Sequence, residues 1–163
     1  MQTEREKMGA PATGEAKGRE ATSSPEAVVR HLIDEGFSHG RLEVADALIA
    51  PGLVEHQNYG PGHAPGPAGV KSVIASLRRA FSDFRLTIED LVVSGEVVWT
   101  RNVATGTNDG SFMGYPATGR SMRVDVIDVL RVVDGKVVEH WGIPDRLGAL
   151  LQLGAVRLPG GAP

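Results

Sequence analysis

Residues that could transfer protons cluster in the segment DGKVVEHWGIPD, which spans residues 134–145. A histidine beside a carboxylate can act at a carbonyl group, because the carboxylate fixes the imidazole tautomer and raises its basicity. The segment starts with a turn at Asp134 and Gly135 and continues as a strand. Neighbouring side chains of a strand point to opposite faces, so Glu139 and Trp141 share one face and His140 takes the other.

The preceding run SMRVDVIDVLRVV, residues 121–133, is predicted to be the partner strand of a hairpin. A type I turn followed by a glycine bulge would place Val132 opposite Lys136 and Asp128 directly opposite His140. A two-residue turn would slip the register by one and separate Asp128 from His140. The bulged turn is the preferred interpretation, and it makes His140 and Asp128 the predicted acid/base pair. The alternative is a plain cross-strand pair on a solvated face.

Four further residues are candidates for binding a substrate. His56, in LVEHQN, is expected either at the edge of a pocket or in a hydrogen bond to the following loop. Arg101 is either a pocket cation for an oxyanion or a surface partner of Glu89. The sequence also leaves undecided which face of the sheet Trp99 occupies. Asp145 is a second candidate acid or the cap of a C-terminal helix.

Composition excludes several classes of protein. The 163 residues carry a net charge of −3 without a block of one sign, which argues against nucleic-acid and membrane partners. The absence of cysteine excludes disulfides, thiol catalysis and cysteine-based zinc sites. The polar N-terminus does not read as a signal peptide, so a cytoplasmic location is expected. Neither a phosphate loop, a dinucleotide fingerprint nor a zincin motif is present, and we predict no metal site.

The elements that must position these residues are helices followed by strands. Helices are expected from Ser23 or Ser24 onward, over RLEVADALIA, and from Val70 to Phe81. About four long strands, joined as hairpins, are expected to fill residues 83–143. The segment DRLGALLQLG then forms a short C-terminal helix or an ordered tail. This segregation predicts an α+β fold with helices on one face of a curved antiparallel sheet. We expect one domain over residues 23–156, a disordered tail over 1–22 and a flexible tail over 157–163.

Several motifs together resemble the SnoaL-like polyketide cyclases, the ester cyclase branch of the nuclear transport factor 2-like superfamily. They are LVEH at 53–56, GSFMGYPATGR at 110–120, and IDVLRVVDGKVVEHWGIPDRLGALLQLG at 127–154. The most specific pattern is G-x-F-x-G-x-P-x-T-G followed by D-G-K, two hydrophobic residues and E-H-W. The resemblance covers roughly residues 25–155.

The resemblance implies a cone-shaped α+β barrel, in which a strongly bent sheet wraps around three helices and leaves a deep apolar pocket. It also implies an intramolecular aldol cyclisation of a hydrophobic, aromatic polyketide without a metal or organic cofactor. In the family pattern the catalytic acid directly follows the tryptophan, whereas this chain has Gly142 there. We therefore expect the acid on the neighbouring strand, at Asp128.

Two functions of different classes remain open at this stage. The first is a cofactor-independent cyclase-like enzyme that uses acid/base catalysis on a carbonyl compound. The second is a ligand-binding or interaction module that kept the pocket and lost the acid, which Gly142 favours. A third and weaker reading, an epoxide hydrolase, would need Arg101 between Asp128 and Asp125. Ile127 and Trp141 on an exposed sheet face predict a homo-oligomer, a dimer or tetramer.

Overall fold

The computed structural model describes residues 24–59 and 62–159. Within these ranges the chain forms four α-helices and five strands: α1 Pro25–His31, α2 Glu43–Leu48, β1 Ile49–Glu55, α3 Gly66–Ala80, β2 Arg85–Ser94, β3 Val97–Thr107, β4 Ser121–Val133, β5 Lys136–Pro144 and α4 Arg146–Gln152. A π-helical segment, Leu32–Ser38, continues α1. The predicted tail at 1–22 lies outside the described residues, as do residues 160–163 of the predicted C-terminal tail.

The helices begin and pack as their sequences indicate. The Ser24 hydroxyl accepts a hydrogen bond from Ala27 N at 3.2 Å and caps α1, with a proline in its first turn. Helix α3 turns Ile74 toward the core, fully buried, and the chain enters the next loop at Phe81, which is also fully buried. The predicted C-terminal helix is α4, and the Asp145 carboxylate caps it by accepting from Gly148 N at 2.7 Å.

The strands form one mixed sheet in the order β1-β5-β4-β3-β2. Strands β2 to β5 are antiparallel neighbours, whereas β1 pairs with β5 in parallel. The prediction of an antiparallel sheet is therefore wrong for β1, which was not predicted as a strand and overlaps the end of the predicted helix RLEVADALIA. Pro51 lies inside β1, which the sheet tolerates because β1 is an edge strand and a proline there costs no ladder bond.

The β4–β5 hairpin differs from the predicted register. Asp134 and Gly135 both have positive φ, so the turn is the two-residue type I′ and Val133 pairs with Lys136. Val132 then pairs with Val137 and Arg131 with Glu139, which leaves Val138 as an extra, bulged residue.

Beyond this bulge, Leu130 lies opposite His140 and Asp128 lies opposite Gly142. The predicted pairing of Asp128 directly opposite His140 is wrong, but the shift is two residues in total. A shift of two preserves the face of every side chain. His140 and Asp128 therefore still share one face as diagonal neighbours, a distance that long side chains bridge.

The inner face of the sheet packs against the helices and carries the core. Val98, Leu130 and Val137 are at most 4% exposed and cluster with Val28 and Val29 of α1. A second cluster around Phe81 and Phe84 joins the far end of the sheet to α4 through Ala149 and Leu153. The arrangement confirms the predicted α+β class. Within the described ranges, no helix combines the length and the apolar content needed to cross a bilayer.

Candidate active site

A cavity of about 550 Å³ lies between the helices and the inner face of the sheet. Most of its lining is aliphatic or aromatic and comes from Leu32, Ile33, Phe37, Val70, Val73, Leu77, Phe112, Met122, Val124, Val126 and Leu130. Polar side chains also line the cavity, and they are Glu55, Gln57, Tyr59, His63, Ser72, Ser76, Ser111, Asp128, His140, Asp145 and Arg146. A mostly apolar cavity with a few convergent polar groups is the usual form of a small-molecule site.

A groove of about 690 Å³ lies elsewhere, between the π-helical segment and β2. Its titratable groups include Asp34, Glu35 and His39, whose ligand atoms lie within 4.8 Å of one another. Asp34 and His39 are exposed, and Glu35 is paired with Arg41 at 2.9 Å. The groove is larger but more open to solvent, whereas three ionisable side chains at the wall of the cavity are largely buried. We therefore place the candidate active site in the cavity.

His140 lies between two carboxylates at the cavity wall. Its Nδ1 is 2.9 Å from Glu55 Oε2, and its Nε2 is 3.2 Å from Asp128 Oδ1. Only 16% of the His140 side chain is exposed, against 17% for Glu55 and 12% for Asp128. Two carboxylates leave no acceptor role for the ring, so both nitrogens carry protons and the imidazole is a cation.

Electrostatics agrees with this protonation state. Burial of the imidazole lowers the pKa of His140, but hydrogen bonds and charge attraction from Asp128 and Glu55 outweigh it and raise the pKa to about 9. At neutral pH the group is therefore a Glu⁻–His⁺–Asp⁻ network with one net negative charge.

Asn102, a buried residue of β3, holds Asp128 in place and is itself bonded to the buried Thr100. Asn102 Nδ2 donates to Asp128 Oδ2 at 2.8 Å and to Thr100 Oγ1 at 2.8 Å. Asn102 is fully buried, and its Oδ1 has no hydrogen-bond partner in the described part of the chain. Asn102 Nδ2 donates to two acceptors, Thr100 Oγ1 and Asp128 Oδ2, and an ionised carboxylate is an acceptor, so the arrangement fits an ionised Asp128. Each Asp128 oxygen keeps a lone pair that can accept a substrate proton.

Tyr59 and Gln57 also line the cavity, although neither was among the predicted substrate-binding or catalytic residues. Burial, followed by the nearby charges of Glu55 and Asp128, raises the pKa of Tyr59 well above its usual value. Its hydroxyl therefore stays protonated and can donate. The ring stacks on His63 with centroids 4.5 Å apart. Alternation along LVEHQNY marks Glu55, Gln57 and Tyr59 as one face, which is the signal that could have found all three.

Three predicted substrate-binding residues lie on the outer face of the sheet. His56 Nε2 is 3.0 Å from Glu139 Oε1, and the His56 ring stacks on Trp141 with centroids 4.4 Å apart. Arg101 donates to Asp90 at 2.6 Å and 2.8 Å, and Trp99 is 53% exposed. None of these three lines the cavity.

The structure brings the other predicted site residues together. His140 and Asp128 are in contact, and Asp145 lines the cavity while it caps α4. The placement of Arg101 away from Asp128 also removes the basis for an epoxide hydrolase arrangement. His56 lies on the opposite face of the sheet from His140 and Asp128, so these three residues do not converge on one point.

Comparison with known proteins gives the family. The family model for SnoaL-like polyketide cyclases matches residues 27–153. Aklanonic acid methyl ester cyclase DnrD of Streptomyces peucetius is 31% identical over 134 residues, which cover 78% of this chain and 88% of that protein. Nogalonic acid methyl ester cyclase of Streptomyces nogalater is 28% identical over 120 residues, covering 72% and 89%.

A solved structure agrees with this relationship. TsrD from Streptomyces laurentii superimposes with a TM-score of 0.73 at 29% identity, covering 80% of this chain and 95% of that one. The family and the fold predicted from the motifs are thereby confirmed, and the cyclase-like enzyme reading is supported at about 30% identity. The chain belongs to the SnoaL-like polyketide cyclase family.

Proposed function

We propose that the protein catalyses an intramolecular aldol-type cyclisation of a hydrophobic polyketide ester, with Asp128 and His140 as the acid/base pair and without a cofactor. The observation that carries the proposal is the Glu55–His140–Asp128 network, which opens onto a cavity with mostly apolar walls. Such walls suit a flat, largely apolar substrate, and the network supplies the proton transfer. Curated relatives are cyclases of aklanonic and nogalonic acid methyl esters, which supports this substrate class.

The proposed step uses Asp128 as base and then as acid. Its carboxylate removes a proton from a carbon next to a carbonyl group, and the C–H electron pair forms an enolate. The enolate carbon attacks a second carbonyl carbon of the same molecule, so that a C–C bond forms and the C=O π pair moves to oxygen. Asp128 returns its proton to this alkoxide. No atom is gained or lost, and the product is an isomer of the substrate.

Protonated His140 has two roles in this scheme. It orients Asp128 through the 3.2 Å contact at Oδ1, and its positive charge stabilises the anionic enolate beside it. Glu55 holds the imidazole from the other side and keeps it protonated. Asn102 fixes the second oxygen of Asp128. All four groups are in place before substrate binds, which reduces the reorganisation that catalysis would require.

The competing function is a binding module that has lost its acid. A solvent-facing Asp128 would favour it. Asp128 is instead 8% exposed, and it contacts His140 at the cavity wall. This burial of a carboxylate in a network that includes two other ionisable groups is more typical of a catalytic site than of an apolar binding site.

The test is turnover of the two methyl esters named by the relatives. Purified protein is incubated with aklanonic acid methyl ester or nogalonic acid methyl ester, and liquid chromatography with mass spectrometry follows a new peak of unchanged mass. We expect the double variant Asp128→Asn with His140→Gln to fold and to lose this peak. Binding of both esters without conversion by the wild type would favour the module instead.

We further propose a homodimer formed through the outer face of the sheet. One cross-strand row on that face runs Val92, Trp99, Val129, Trp141 over four adjacent strands. Val92 is 64% exposed, and Ile143 in the next row is 71% exposed. An apolar patch of this kind favours contact with a second copy. Analytical ultracentrifugation should show a dimer that Trp99→Glu converts to monomer; a wild-type monomer would contradict the proposal. The cytoplasmic location stays a prediction.

A further inference from the structure

The space above Gly142 is occupied by another residue. A Cβ atom at position 142 would overlap Gln57 Oε1 and would lie 3.0 Å from both Gln57 Cδ and Asp128 Oδ1. Gly142 lies in β5 with an ordinary strand conformation, since its φ is not among the positive values. The backbone therefore does not require glycine here. A side chain at this position would instead require Gln57 to move, because Gln57 Oε1 is the end of a flexible side chain that fills the space.

The carboxamide of Gln57 is an unpaired polar group at the cavity wall. Its backbone N–H donates to Glu55 Oε1 at 2.8 Å, which holds the residue against the network. Its side chain lines the cavity and forms no hydrogen bond within residues 24–59 and 62–159. A primary amide offers two donors and one acceptor, and leaving them unused in a partly buried place is costly unless a ligand or water satisfies them.

The position of this amide relative to the acid/base pair matters most. Asp128 and Gly142 are directly opposite each other on β4 and β5, and Gln57 covers the glycine. The Gln57 atom nearest this point is Oε1, so the carboxamide lies beside Asp128 Oδ1, and its two N–H donors belong to the same planar group. In a substrate whose acidic C–H faces Asp128, the carbonyl oxygen is two bonds from that carbon, so a donor group beside Asp128 can meet it.

We propose that Gln57 donates a hydrogen bond to the oxygen of the reacting carbonyl group, and that position 142 is glycine because Gln57 needs the space. This inference rests on the proposed function, since the carbonyl is that of the cyclising ester. When Asp128 removes the C–H proton, the electron pair moves to this oxygen, and the amide N–H stabilises the charge that develops there. A donor placed at such an oxygen contributes about 10²- to 10³-fold to the rate.

The main test compares two glutamine-to-leucine variants. Gln57→Leu keeps the size of the side chain and removes its donors, while Gln152→Leu makes the same change in α4, where the amide bonds only the backbone of Arg123. With either methyl ester, kcat of Gln57→Leu should fall about 10²- to 10³-fold with KM changed only a few-fold. Gln152→Leu should keep the wild-type kcat. A Gln57→Leu variant within threefold of wild type would overturn the proposal.

The second test asks whether positions 57 and 142 compete for one space. Gly142→Ala alone should displace Gln57 and lower kcat. In a Gln57→Ala background the same Gly142→Ala change should have no further effect, because the space is then free. An equal loss in both backgrounds would show that the glycine is needed for another reason. Thermal unfolding of each variant separates loss of the fold from loss of the donor.

A binding measurement separates this inference from the proposed function. If the wild type converts neither ester, the proposed function fails, and the Gln57 donor is then tested by titration with 1,8-dihydroxyanthraquinone, a flat probe that carries carbonyl oxygens. Loss of the donor should weaken the Kd of Gln57→Leu for this probe about tenfold relative to wild type. An unchanged Kd, or a wild type that does not bind the probe, overturns the inference as well.

Discussion

Two glutamate–histidine pairs occupy opposite faces of the same two strands, and they differ in almost everything except residue type. The dipeptide Glu55-His56 lies at the end of β1, and Glu139-His140 lies in β5. On the inner face Glu55 contacts His140, and on the outer face Glu139 contacts His56. Distances of 2.9 Å and 3.0 Å do not tell the two pairs apart.

The surroundings of the two Glu–His pairs distinguish them. The inner pair has a third member, Asp128, and a cavity beside it, while the outer pair has Arg131 at 2.9 Å and solvent. His56 and Arg131 share Glu139, and the His56 ring also stacks on Trp141. Burial and the surplus carboxylate, not the pairing of Glu with His, give the inner site its chemistry. Matched substitutions on the two faces can test this.

The largest difference should appear in turnover. Asp128→Asn removes the proposed base and should lower kcat for the methyl esters by about 10³-fold, within the usual range for general-base catalysis. Glu139→Gln, the matched change on the outer face, should leave kcat within about threefold. Steady-state kinetics of both variants measures the contrast, and equal losses would mean that the inner network is not the catalytic site.

A second difference should appear in the pH dependence of stability. The folded-state pKa of His140, about 9, is above its unfolded value of 6.5, so its contribution is fully present below pH 6.5 and is lost as pH rises through 9. The shift corresponds to about 3 kcal/mol in the free energy of unfolding. Urea unfolding at pH 6.5 and 9.5 should show this loss in wild type and His56→Gln, but not in His140→Gln. A wild-type curve parallel to that of His140→Gln would contradict the assignment.

The rate should depend on the same proton. Because protonated His140 stabilises the enolate, kcat should fall as pH rises through about 9. Glu55→Gln removes one of the two carboxylates that raise the pKa of His140, so this limb should move to lower pH by about one unit. His56→Gln should leave the limb in place. Rate profiles from pH 6 to 10.5 would decide, and a limb that follows His56 would reverse the roles of the two faces.

The smallest effect should be on the outer face itself. His56→Ala removes the stack on Trp141 and the exposed contact with Glu139, and it should lower the free energy of unfolding by only about 1 kcal/mol. Turnover should stay near the wild-type value. Urea unfolding with parallel kinetics measures both, and a loss of turnover comparable to that of Asp128→Asn would mean that His56 takes part in the chemistry.

The sequence predicted best what depends on short-range periodicity. Alternation along β5 placed His140 on one face and Trp141 on the other, as the structure has them, and the motifs identified the family. The turn was predicted wrongly, because Asp134 adopts a positive φ that the type I alternative does not need. The extra residue Val138 then restored the contact between His140 and Asp128.

What depends on distant pairing was not predictable from the same patterns. The role of Glu55 follows from the parallel pairing of β1 with β5, across 85 residues of chain, and the Pro-Gly of β1 hid the strand. Arg101 was expected to meet Glu89 if it lay on the surface, but it bonds Asp90, because Glu89 is the bulged residue between two paired positions of β2. A bulge leaves no signal in the alternation that would reveal it beforehand.

The offset between the two Glu-His dipeptides has a consequence for assembly of the sheet. Glu55 is in register with His140, not with Glu139. Sliding β1 by one residue would set carboxylate beside carboxylate on one face and imidazole beside imidazole on the other, and both attractive Glu–His contacts would be lost. The two dipeptides therefore favour the observed register of the edge strand β1 over the register that is shifted by one residue.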